Sequence, residues 1–326
     1  VAKLAKLIAA QLKADEASAV RAGELCKSDL VTNMVGEFDN MQGIAGYYYA
    51  LNDGENAEVA AAMNEQYLPR FAGDALPEKI TGAITALADR LDTISGIFGI
   101  GQQPTGSKDP FALRRASIAV LRILVEKNLA LDLRELLTFA KNQHNNLTVG
   151  DELVEQVLSY MLDRFRAFYE DANIPAEVFQ AVTAKQLSQP LDINQRVLAV
   201  NEFSKLPQAQ ALAAANKRVS NILSKQNASS NAVIHSDLLK EEAEINLARA
   251  ISAKAELVTP LFDKREYTKA LAALADLQQP VDAFFDSVMV MCEDAALQQN
   301  RLALLQQLRA LFLEVADISY LVPAKN

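Results

Sequence analysis

Apolar residues recur every three or four positions along nearly the whole chain, and the strict alternation that marks a half-buried strand is nearly absent. The spacing predicts helices over residues 2–14, 17–37, 55–68, 78–98, 110–127, 132–143, 150–171, 175–185, 192–204, 206–225, 237–258, 266–277, 280–290 and 296–317. Their punctuation is legible: Pro69 and Pro77 follow one helix, Asp109-Pro110 opens another, and Pro207 opens a third. The expected class is all-α. Two stretches break the periodicity and read as boundaries. One is GIGQQPTGSKDP (99–110), rich in Gly and Pro; the other is KQNASSNAVIHSD (225–237), polar and rich in Asn and Ser. A loop of the second kind is either mobile or ordered by a ligand.

Composition narrows the picture. Half of the 326 residues are apolar, Trp is absent, and Gly and Pro are sparse, so there is material for more than one packed core. No run of about 18 apolar residues occurs, and no secretory signal is visible. The amphipathic opening VAKLAKLIAAQLKAD suits either a membrane surface or a first helix docked on the core. Cys26 and Cys292 stand far apart, without metal spacing or a disulfide framework, which fits a reducing cytosol and a cytoplasmic location. Val1 is not an initiator Met, and the chain is expected to be part of a longer one.

The net charge of −9 argues against bulk nucleic-acid binding, and no DNA partner is expected. Its distribution is uneven: −6 over residues 1–100, −1 over 101–215 and −2 over 216–326. Any polyanion site is therefore local and expected in the last two thirds.

Three basic clusters qualify. In KDPFALRRASIAVLRILVEKN (108–128), Phe111, Ile118, Leu121 and Val125 form an apolar stripe, while Arg115 and Arg122 lie seven apart on another, beside Arg114. The face is either a guanidinium ladder for phosphates or a solvated side with an Arg122–Glu126 pair. In AAANKRVSNILSK (213–225), Ala215, Val219, Ile222 and Leu223 make the buried stripe, and Lys217, Asn221 and Lys225 align beside Arg218. Such an edge suits phosphate contacts and hydrogen bonds to unstacked bases, or it is simply a soluble face. In MCEDAALQQNRLALLQQLRALFLEVADIS (291–319), Arg301 sits on the apolar stripe of Leu297, Leu304, Leu305, Leu308, Phe312 and Val315. A cation there must be paired or look out through a cleft, with Glu293 and Asp294 the expected caps or partners.

RAGELCKSDLVTNMVGEF (21–38) followed by ALADRLDTISGIF (86–98) resembles the HD superfamily of helical metal-dependent phosphohydrolases, with Ser28-Asp29 in the His-Asp place and Asp89 in the place of the later Asp. That chemistry needs imidazoles as well as carboxylates. The chain's two His residues, His144 and His235, lie outside these helices, so Asp29 and Asp89 read as a degenerate centre and no metal is expected. Cys26, mid-helix, reads as a small buried hydrophobe and not a nucleophile. GIGQQPTG (99–106) follows no strand and lacks the Lys-Ser/Thr ending of a phosphate loop.

Taken in order, RAGELCKSDLVTNMVGEF (21–38), QGIAGYYYALNDGE (42–55), NEQYLPRFAGDALP (64–77), ADRLDTISGIFGIGQ (88–102), KDPFALRRA (108–116), AAANKRVSNIL (213–223) and the residues of 281–319 closely resemble the C-terminal part of the β subunits of bacterial heterotetrameric glycyl-tRNA synthetases. The resemblance covers essentially the whole chain. It implies an HD-like helical domain at 1–108, a helical connecting region at 109–205 and an anticodon-binding helical bundle at 206–326. It further implies an α2β2 ligase that joins glycine to tRNA-Gly with ATP and Mg2+ at the α subunit, while β positions the tRNA. No catalytic residue or cofactor is then expected in this part. The tRNA-binding candidates are Lys217, Arg218, Asn221, Lys225, Arg301, Arg114, Arg115 and Arg122. The alternatives are a metal-dependent HD-type phosphohydrolase and a helical scaffold for subunit assembly.

Overall fold

The computed structural model describes residues 1–226 and 233–322; part of the polar loop expected over 225–237 lies outside them. The described residues are all-α, without a strand. The α-helices run α1 Ala2–Leu12, α2 Glu16–Leu25, α3 Asn33–Glu37, α4 Ile44–Asn52, α5 Ala57–Glu65, α6 Ile80–Gly99, α7 Leu113–Glu126, α8 Leu133–Lys141, α9 Leu153–Asp171, α10 Ala176–Thr183, α11 Pro190–Ser204, α12 Ala209–Lys225, α13 Glu242–Asp263, α14 Tyr267–Leu274, α15 Gln278–Ser287 and α16 Ala295–Leu313. They divide into two compact units, residues 1–168 with 188–191, and residues 169–187 with 192–326.

In the first unit α6 is the central element. Thirteen of its residues are buried, from Thr81 to Gly99, so it is apolar around most of its circumference and is covered by α1, α2, α5, α7 and α8. Small residues set the spacing. A Cβ on Gly23 of α2 would lie 2.7 Å from the Ala2 Cα of α1, so only glycine lets those backbones meet. Helix α1 docks Leu4, Ala5, Ile8 and Ala9 into this core, as a first core helix would. Side-chain caps fix the starts: Asp15 for α2, Thr32 for α3, Asn56 for α5 and Asp132 for α8.

Two segments depart from the periodicity. The single helix expected over 17–37 breaks after Leu25 into a 3-10 turn, Ser28–Val31, and the short α3. Thr32 causes the break, accepting from the Val35 N–H and donating to the Asp29 carbonyl at 2.7 Å; local side-chain bonds of this kind compete with helix continuation. Helix α4 was not expected. It starts after Gly43, whose φ of 83° no other residue type adopts readily.

In the second unit α13 packs with α14, α15 and α16, while α12 packs on α15, α16 and the closing 3-10 turn, Ile318–Leu321. The helix expected over 237–258 begins at Glu242 and continues through Pro260 to Asp263. Its start is set by a capping box: Glu241 and Glu244 each accept from the other's end of the first turn. Asp192, Arg196 and Tyr267 form a polar cluster, with the Tyr267 hydroxyl donating to Asp192 at 2.6 Å and Arg196 Nε donating to Asp192 at 2.8 Å. Burial and its bond to Asp192 push the Tyr267 hydroxyl up to about 12.

Candidate nucleic-acid interface

Helix α7 begins at Leu113, three residues after Pro110, because Ala112 is left-handed (φ 53°) and the Asp109 carboxylate accepts from the Leu113 and Arg114 N–H groups at 2.8 and 3.0 Å. The late start rearranges the expected stripe. The buried face carries Leu113, Val120, Leu121, Ile123 and Leu124; Ile118 and Val125 are half-buried, and Phe111, ahead of the helix, is 43 % exposed.

The arginines separate accordingly. Arg114 donates to the Gly106 carbonyl. Arg122, with a largely covered side chain, pairs with Glu126 at 2.7 Å and donates to the Asp74 carbonyl at 3.2 Å. Lys127 reaches the Glu78 carbonyl at 3.3 Å. Arg115 alone of the three arginines is exposed, and its guanidinium has no ion pair among the described residues. It lines a cleft of about 730 Å³ together with Arg70, Asp89, Arg90, Gln66 and Phe111.

The HD-like pair is committed elsewhere. Asp29 is 3 % exposed and accepts from the Gly43 N–H at 2.6 Å. Asp89 pairs with the Lys27 ammonium at 2.9 Å and not with Arg90, its neighbour in sequence. Arg90 donates to the carbonyls of Gln66, Tyr67, Pro69 and Ala86, clamping the turn after α5 to α6. These carboxylates do not fit a catalytic divalent metal, and no group of three metal-ligating side chains occurs among the described residues. Cys26 is buried, and desolvation, helped by the Asp89 charge, pushes its thiol up to about 11.

In the second unit, α12 buries Leu212, Ala213, Ala215, Asn216 and Val219, while Ile222 and Leu223 are half-buried and not fully covered as expected. Lys217, Arg218, Asn221 and Lys225 are exposed on the same helix. The Arg218 guanidinium lies 4.2 Å from the centre of the Phe285 ring, which holds its charge at the surface without neutralising it. Lys217 and Asn221 line a cleft of about 520 Å³ with Glu177, Gln180, Ser319 and Tyr320. Tyr320 is 46 % exposed. The wall opposite α12 comes from α10 and the closing 3-10 turn, which the Asp317 N–H ties to the Ala181 carbonyl at 2.9 Å. No local pattern announces that wall; Glu177, Gln180 and Tyr320 become candidates only through tertiary packing.

Arg301 is 7 % exposed. Its Nε is bonded to Glu244 of α13, and its Nη1 donates to the Met289 carbonyl at 2.9 Å. Of the two acids expected as caps or partners, Asp294 is the cap, accepting from the Ala296 and Leu297 N–H groups of α16, and the partner of Arg301 is Glu244 instead. Lys217 and Asn221 therefore share one cleft, with Arg218 and Lys225 on the same helix, whereas the other candidates have separate surroundings.

Residues 1–184 match a family model described as "Glycyl-tRNA synthetase beta subunit", and residues 212–318 match one described as "DALR anticodon binding domain". Among similar proteins, the glycine--tRNA ligase beta subunit of Ectopseudomonas mendocina is 56 % identical over 321 residues, covering 98 % of this chain and 47 % of the relative. Those of Hahella chejuensis and Pasteurella multocida are 55 % identical over 322 residues and 53 % identical over 321, covering 98 % of this chain and 46 % and 47 % of the relative. The chain spans about half the length of the curated relatives it matches. On the match over residues 1–184, more than half of its length, the chain belongs to the glycyl-tRNA synthetase beta subunit family.

Proposed function

We propose that this chain holds and positions tRNA-Gly for a glycine-tRNA ligase, whose ATP- and Mg2+-dependent glycylation takes place on an α subunit in a cytoplasmic α2β2 assembly. The bundle from about residue 206 is the anticodon-reading part, behind an HD-like domain at 1–108 and a connecting region at 109–205. The observation that carries this reading is the exposed Lys217–Arg218–Asn221–Lys225 edge beside a polar cleft, inside the segment that matches an anticodon-binding domain. Lysine and arginine there neutralise phosphates, Asn221 offers both a donor and an acceptor to a base edge, and Tyr320 offers a ring for stacking. Arg301 and Arg122, whose guanidiniums are held by Glu244 and Glu126, act through the fold. Asp29 and Asp89 are engaged with Gly43 and Lys27, so hydrolysis at the HD-like centre is not favoured.

Charge reversal tests the reading. Lys217→Glu with Arg218→Glu should weaken tRNA-Gly binding about tenfold or more while the chain keeps its melting temperature. Unchanged affinity with an intact fold supports a scaffold for subunit assembly instead.

A further inference from the structure

The cleft of about 730 Å³ in the first unit is separate from the α12 edge and takes in Asp89 of the HD-like pair, and it is built like a ligand site. Its volume is in the range that takes a small organic ligand. Its charged lining is three arginines, Arg70, Arg90 and Arg115, against two aspartates, Asp39 and Asp89. Asp89 is answered by Lys27 at 2.9 Å, which leaves the cleft with a cationic balance.

The arginines divide the work. Arg90 is committed to four backbone carbonyls. Arg115 is exposed, with no ion pair among the described residues, and Arg70 uses one N–H of its fork on Asn64 at 2.9 Å. Two guanidiniums with open donors on one cleft are matched to the oxygens of a phosphate.

Two further residues belong to the same lining. Gln66 is 1 % exposed, and its Nε2 is held by the carbonyls of Cys26 and Met63. Its Oε1 has no hydrogen-bond partner among the described residues. That oxygen is covered, so the amide braces the floor of the cleft and is not offered to a ligand. Phe111, 43 % exposed in the same lining, provides a flat apolar surface of the kind on which bases stack. Phosphate acceptors and an aromatic plane are the two things this lining asks for together.

We propose that this cleft binds a nucleoside 5′-monophosphate group, either free or as an unstacked residue of an RNA strand. Arg115 and Arg70 hold the phosphate, and the base stacks on Phe111. The site lies in a different unit from the α12 edge and stands or falls without it.

The test is titration of the 326-residue chain with AMP, CMP, GMP and UMP by isothermal calorimetry, alongside a 5′-phosphorylated single-stranded hexaribonucleotide. At least one probe should bind saturably, and Arg115→Ala and Arg70→Ala should each weaken it about tenfold or more. Tighter binding of the hexamer than of the mononucleotides, with the same arginine dependence, identifies the strand as the source; equal or weaker hexamer binding identifies the free nucleotide. Binding through the α12 edge is separated by Lys217→Glu, which should leave the mononucleotide titration unchanged. Saturation by none of these probes, or saturation that both arginine variants retain while still folded, overturns the proposal.

Discussion

Arg301 of α16 and Glu244 of α13 form a buried ion pair, with Glu244 fully covered and also closing the capping box that starts its own helix. Two helices distant in sequence are thus joined at a point where a lone charge of either sign would be stranded. Removing one partner of such a pair costs about 3–5 kcal/mol. Arg301→Leu should therefore lower the urea midpoint of the second unit strongly. Glu244→Gln, which keeps an oxygen for the capping N–H groups, should cost less.

The same carboxylate sets an acid limit. Burial pushes Glu244 up, but the Glu241 N–H, the Arg301 guanidinium and the Lys240 N–H outweigh it and hold it below its ordinary value of 4.5. Asp317 is likewise raised by burial and then brought below 3.8 by Arg309 and Ser319. A carboxylate with a depressed folded pKa contributes stability that is complete above the unfolded value and lost as pH falls through the folded one. Urea midpoints should hold down to the ordinary carboxylate range and then drop through the lowered values. Glu244→Gln combined with Asp317→Asn should start lower and flatten that drop; an unchanged pH profile would contradict the assignment.

Much of this architecture could be read from the chain. The helical class follows from the three-and-four spacing, and most helices lie within a few residues of the expected bounds. Two of the failures share a cause. At Thr32 and at Asp109, a short polar side chain bonds nearby backbone and overrides the apolar period, which broke one helix and delayed another. The Arg122–Glu126 pair was legible because four residues separate the partners, whereas Arg301 and Glu244 are 57 apart and only the fold joins them. For the same reason the α12 edge was visible in AAANKRVSNILSK, but the opposite wall with Glu177 and Tyr320 was not.

Close packing in the first unit makes its own prediction. A methyl at Gly23 would sit 2.7 Å from backbone of α1, which cannot move like a flexible side chain. Gly23→Ala should destabilise by about 1–3 kcal/mol in chemical unfolding. Gly36, on α3, has nothing within 4 Å of an added methyl. Gly36→Ala should be neutral or stabilising by up to about 1 kcal/mol.

Thiol reactivity separates the two cysteines. With its thiol at about 11 and its side chain buried, Cys26 should resist iodoacetamide at pH 8 until the chain is unfolded. Cys292, partly exposed, should be labelled in the folded chain. Mass spectrometry of the labelled peptides reads both; rapid folded-state labelling of Cys26 would contradict its placement in the core.

The central claim is that this chain itself recognises tRNA. The most direct measurement is equilibrium binding of the chain to tRNA-Gly and to a non-cognate tRNA, each at low and at physiological salt. The account predicts tighter binding of tRNA-Gly at both, with both affinities falling as salt rises, because phosphate contacts release counterions. Equal affinity for the two tRNAs, or no binding to either, would contradict it.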